Sequence, residues 1–142
     1  VTYSLFIDDE RFPAARPTRD GNFTTMNPAE AVDHDAEGRP WVIARTLDEV
    51  RDLLETRGAP THASFDHDLG EDQASGADIA QAMVSADQIS RHGPGGLADL
   101  QAQGFTFRFP DGFTYTVHSM NSVGGPGINQ ILGRYLAFLR ED

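Results

Sequence analysis

The 142-residue chain has no cysteine, which removes disulfide frameworks and thiolate metal sites and fits a reducing compartment. It has no lysine either: all 11 basic residues are arginine. Mechanisms that need a lysine, as a Schiff base or as a point charge on a phosphoryl group, are therefore excluded. No stretch reaches the roughly 18 apolar residues of a membrane span, and no basic-then-apolar signal opens the sequence. A cytoplasmic protein without membrane attachment is expected. Positive charge is scarce, with 22 acidic residues and a net charge of -11. That balance argues against an extended nucleic-acid groove, because phosphate backbones bind through clustered basic residues. A small phosphate-bearing ligand or an RNA end remains open, and no protein partner can be named.

At this length the chain is expected to form one domain, residues 1–142. A first strand at Tyr3 to Ile7 is followed by a stretch, Asp8 to Pro40, that reads mostly as loop. Asn27 with Pro28 can cap one short helical turn within it. Trp41 to Arg45 reads as a strand, and Thr46 to Glu49 as a capping box opening a helix that Gly58 ends. His62 to Phe65 is the next strand. Ser75 to Asp78 is a second cap, for a helix that stops at Arg91 to Gly96, and Leu97 to Gln103 is a short helical candidate. Phe105 to Phe109 and Phe113 to Val117 alternate apolar and polar residues around Pro110-Asp111-Gly112, the pattern of a hairpin. Ile128, Ile131, Leu132, Tyr135, Leu136 and Leu139 keep helical spacing in the last element. Alternating strands and helices predict a three-layer α/β fold, with a mostly parallel doubly wound sheet and an antiparallel hairpin at one edge. Ligands of such sheets bind beyond the carboxyl ends of the strands.

The chemistry-bearing residues cluster at those ends. Asp8 and Asp9 follow the first strand, and Asp66-His67-Asp68 follow His62 to Phe65. Adjacent parallel strands lie about 4.8 Å apart, so the carboxylates of Asp8, Asp9, Asp66 and Asp68 would converge and repel unless a cation sits among them. Hard oxygen donors in an open site suit Mg2+, with Mn2+ as a substitute. Asp66 reads as a metal ligand or as a nucleophile. His67 or His118 would supply the proton for a leaving alkoxide. Ser119, Asn121 and the glycine turn with Gly124, Gly125 and Gly127 resemble an anion nest before a helix. Arg11 either clamps a phosphate or neutralises Asp9 or Glu10.

Taken together, the runs Leu5 to Arg11, Ser64 to Gly70 with Gly76 after it, and Val117 to Asn121 with its glycine turn and terminal helix resemble the cyclic-phosphate processing receiver-like domains. These are compact relatives of the two-component receiver domain, encoded in bacteria and phages. The resemblance does not cover insertions at about 13–40 and 86–112. It implies a receiver-like sheet reduced in strand number, with Asp8 and Asp9 as metal acids, Asp66 at the phosphoryl-acceptor position and Ser119 as the hydroxyl. The receiver lysine has no counterpart, while His67, His118 and Asp68 are additions that the cyclic-phosphate family shares. The expected function is a metal-assisted phosphoesterase acting on a cyclic nucleotide or a 2′,3′-cyclic RNA end. The alternative is a non-catalytic, degenerate receiver that captures a nucleotide or a protein partner, as a phage or host-defence system could use.

Overall fold

The computed structural model describes residues 2–19, 21–66, 75–118 and 127–141. Its strands are β1 (Ser4–Ile7), β2 (Phe12–Pro13), β3 (Thr24–Thr25), β4 (Trp41–Ala44), β5 (His62–Phe65) and β6 (Thr114–Val117). The main sheet has the order β4-β1-β5-β6 and is parallel throughout. In its register Phe6 stands opposite Ile43 and Ser64, and Ser64 opposite Thr116. The helices are α1 (Leu47–Arg57), α2 (Gly76–His92), α3 (Gly96–Gln101) and α4 (Arg134–Arg140), the last preceded by a π-helical turn, Asn129–Gly133. This is the α/β, receiver-like architecture the sequence predicts.

Side chains alternate between the two faces of a strand, and here the faces are chemically unlike. Leu5, Ile7, Ala44, Ala63 and Phe65 join one core cluster with Val50 and Leu54 of α1, Ile79 and Met83 of α2, and Ile128, Leu132 and Leu136 of the C-terminal helical run. The opposite face carries Ser4, Phe6, His62, Ser64, Thr114 and Thr116. Crossover handedness explains why the helices share one side. The steps from β4 to β5 and from β5 to β6 run in the same direction across the sheet, so right-handed connections lie on the same face. The step from β1 to β4 runs the other way and crosses the polar face.

Among its described residues that crossover, residues 8–40, has no α-helix. The sheet is thus wound on both faces as expected, with one outer layer helical and this irregular segment as the other. It is tied down by polar contacts, among them Ser4 Oγ donating to Asp35 Oδ2 at 2.5 Å. It also contains the two-residue strands β2 and β3, paired antiparallel, where the sequence suggests mostly loop. The Asn27 cap forms as expected, its side chain accepting from the Ala29 amide before the 3-10 turn Pro28–Glu30.

The expected edge hairpin is absent. Phe105, Phe107, Phe109 and Phe113 are buried, so the alternation marks an extended chain with one side on the core. It does not specify a ladder partner. The Phe109 amide donates to the buried Asp87 carboxylate at 2.8 Å, and the Phe105 amide to Ala102 O at 2.9 Å. The second arm, β6, pairs in parallel with β5 instead.

Both predicted helix starts are capped. Thr46 Oγ1 accepts from the Glu49 amide, while Glu49 reaches back to the Arg45 amide, one residue before the cap. Ser75 and Asp78 form the full reciprocal box.

Candidate metal and phosphate site

Asp8, Asp66 and His118 each sit one residue beyond their strands β1, β5 and β6. The ladder continues through them: Asp8 N donates to Ala44 O at 3.2 Å, Asp66 N to Ile7 O at 2.9 Å and His118 N to Phe65 O at 2.9 Å. Two-residue periodicity then sends all three side chains to the polar face, in the rows begun by Phe6, Ser64 and Thr116. They are 0, 3 and 5% exposed, respectively. Ligand oxygens of Asp8, Asp9 and Asp66 lie within 4.8 Å of one another.

Asp8 is saturated with donors. Its Oδ1 accepts from the Glu10 amide at 2.9 Å and the Arg11 amide at 2.7 Å. Its Oδ2 accepts from Arg11 Nε and His118 Nε2, both at 2.9 Å. Burial alone would raise its pKa, but the bonds from His118 and the two amides, with the Arg11 charge, outweigh burial and hold it well below the usual carboxylate range. Asp66 shows the opposite balance. Burial and then the Asp8 charge raise its pKa, only partly countered by Arg11, whose Nη2 lies 3.2 Å from Oδ1. Asp9 is raised by burial and by the charges of Asp8, Glu10 and Asp66.

His118 uses both ring nitrogens. Nε2 faces Asp8, Nδ1 is 2.6 Å from Ser64 Oγ, and the ring stacks on Phe6 with centroids 4.4 Å apart. Ser64 accepts from Thr116 Oγ1 at 3.0 Å, and Thr116 Oγ1 lies 3.4 Å from His62 Nε2. His62 Nδ1 is 2.7 Å from Thr114 Oγ1. A single proton order satisfies the whole row: Thr114 to His62, His62 to Thr116, Thr116 to Ser64, Ser64 to His118, His118 to Asp8. In a neutral His118 ring this order puts the hydrogen on Nε2.

Of the sequence-predicted residues, the structure brings together Asp8, Asp9, Asp66, Arg11 and His118. Gly127 lies at the start of the last helical run. His67, Asp68, Ser119, Asn121, Gly124 and Gly125 lie outside the described residues. Arg11 pairs with Asp8 and Asp66 rather than with Asp9 or Glu10. Two contributors were missed. Ser64 orients His118, and Arg45 Nη1 holds the turn by donating to Asp8 O at 3.0 Å and Arg11 O at 2.5 Å, its guanidinium over the Phe12 ring. Ser64 had a signal: polar residues of one parity at 62, 64 and 66 mirror those at 114, 116 and 118.

The sequence model of the cyclic-phosphate processing receiver domain matches residues 3–134, nearly the whole chain. The chain belongs to this family. The match spans every strand of the main sheet and all three rim residues. No curated protein matches the chain, and no solved structure does. Among the described residues no helix is long and apolar enough to cross a membrane.

The three carboxylates fit a hard divalent cation by donor type and spacing. Asp8 already accepts four hydrogen bonds, so an ion ligated there would replace at least one of them.

Proposed function

We propose that this domain is a metal-assisted phosphoesterase that opens a cyclic phosphate, of a cyclic nucleotide or of a 2′,3′-cyclic RNA end. The observation that supports it is the convergence of Asp8, Asp9 and Asp66 at one strand rim in a member of a cyclic-phosphate processing family. Asp8, Asp9 and Asp66, with Asp68 beside them in sequence, would hold Mg2+ or Mn2+. Bound there, the ion would polarise the phosphoryl oxygens and offset their charge.

The chain's own residues divide the remaining work. Asp8 is kept ionised and aimed by His118 and the turn amides. Asp66, with its raised proton affinity, is the carboxylate at the acceptor position, able to attack phosphorus or to take a proton from attacking water. His118 has both nitrogens committed to protein partners, which leaves His67 to protonate the departing ribose oxygen. Ser119, Asn121 and the amides from Gly124 to Gly127 would receive the phosphate oxygens.

One observation favours the second reading, a capture module without turnover. Asp8 and Asp66 already have Arg11 as a charge partner, so the rim acids are held within the protein with no metal present. Incubation with 2′,3′-cyclic nucleotides and Mg2+, followed by chromatography for ring-opened product, separates the two. Product that is lost in Asp66→Asn supports the esterase; intact ligand retained without product supports capture.

A further inference from the structure

The Arg11 guanidinium spans two of the carboxylates that would hold a divalent ion, with Nε 2.9 Å from Asp8 Oδ2 and Nη2 3.2 Å from Asp66 Oδ1. We infer that Arg11 is an exchangeable latch, paired with Asp8 and Asp66 in the free protein and displaced by the metal, after which its fork is available to the phosphate of the ligand. This rests on the metal reading of the site given above.

The argument begins with which donor can leave Asp8. The Glu10 and Arg11 amides belong to the turn itself, and that turn is pinned from behind by Arg45 through Asp8 O and Arg11 O. His118 is fixed by its stack on Phe6, its bond to Ser64 and its backbone bond to Phe65 O. Only the Arg11 side chain hangs on a rotatable stem. It can leave Asp8 and Asp66 by side-chain rotation, with no movement of a strand or of the turn.

The second step is where the guanidinium goes. Its side chain is 15% exposed and the two carboxylates 0 and 4%, so Arg11 sits on the solvent side of the acids and leaves outward. A ligand bound to the ion approaches from that side and presents phosphoryl oxygens, which match the planar fork as well as a carboxylate does. Metal and phosphate would then bind cooperatively: the ion frees Arg11, and the phosphate occupies it. Linkage makes the coupling reciprocal.

The test follows the Arg11 Nε–H resonance of the full chain by NMR during titration with Mg2+, with and without inorganic phosphate. Mg2+ affinity is measured by calorimetry in parallel on the wild type and Arg11→Gln. The expected result is that Mg2+ moves the Nε–H resonance away from its carboxylate-bonded position and that phosphate tightens Mg2+ binding in the wild type. Arg11→Gln should bind Mg2+ about fivefold or more tightly without phosphate and lose the phosphate effect. If Arg11→Gln does not fold, Arg11→Lys, which keeps one charge but cannot span both acids, should change affinity in the same direction. Mg2+ binding that leaves the resonance in place, or that is no tighter in the variants, overturns the latch alone. No Mg2+ binding by any of these proteins overturns the metal reading, and the latch with it.

Discussion

His118 Nε2 lies 2.9 Å from Asp8 Oδ2, joining the ends of two strands 110 residues apart in sequence. The bond crosses over β5, so the site and the closure of the sheet share one contact. His118→Phe keeps a ring to stack on Phe6 but removes both polar bonds, leaving Asp8 short of a donor and the Ser64 hydroxyl without its acceptor. A loss of about 1–3 kcal/mol is expected, seen as a lower urea midpoint with an unchanged slope.

Asp8 and Asp66 should respond oppositely to the same substitution. The fold favours the charge of Asp8 and disfavours that of Asp66. In chelator at neutral pH, Asp8→Asn should lower the melting temperature, whereas Asp66→Asn should leave it unchanged or raise it. Equal losses in both variants would show that the charge balance at the rim is misassigned.

Asp87 provides a test away from the rim. Fully buried, it accepts from Arg91 Nε and Tyr135 Oη at 2.6 Å each and from the Phe109 amide at 2.8 Å. Asp87→Ala strands three donors and should cost about 2–4 kcal/mol. Hydrogen exchange should speed up first at Phe109, because that amide has a side-chain partner where a hairpin would give it a strand.

His62 should make the fold acid-sensitive within a narrow range. Burial, and then the Arg39 charge, lower its pKa from 6.5, with Asp35 and Glu37 opposing. The folded state therefore binds fewer protons than the unfolded chain just below pH 6.5. The stability contribution of neutral His62 is complete above that pH and falls as pH drops towards the lowered folded value. His62→Gln should flatten this part of a stability-against-pH profile. A profile of the same slope in wild type and variant would exclude His62 as its source.

Much of this structure is legible in the sequence because local rules and the global fold agree there. Ser75 and Asp78 cap α2 as their spacing demands, and the acids after β1 and β5 meet because parallel neighbours in register must bring them together. The expected hairpin fails for a definable reason. Alternation at Phe105 to Phe109 reports which side of the chain is buried, and the partner of the Phe109 amide is a carboxylate 22 residues earlier. Which acids Arg11 faces is likewise not legible, since a guanidinium three residues after Asp8 can turn to any of several carboxylates. Only side-chain placement decides that.

The unlike faces of the sheet also protect the chain from mispairing. Slipping β5 by one residue against β1 would turn Ser64 and Asp66 into the greasy interior and push Ala63 and Phe65 among hydroxyls and imidazoles. Such a misaligned product loses its hydrophobic contacts and its acid triplet together. Correct strand alignment is thus enforced twice, and a molecule that has assembled its interior has by the same event assembled its acidic edge.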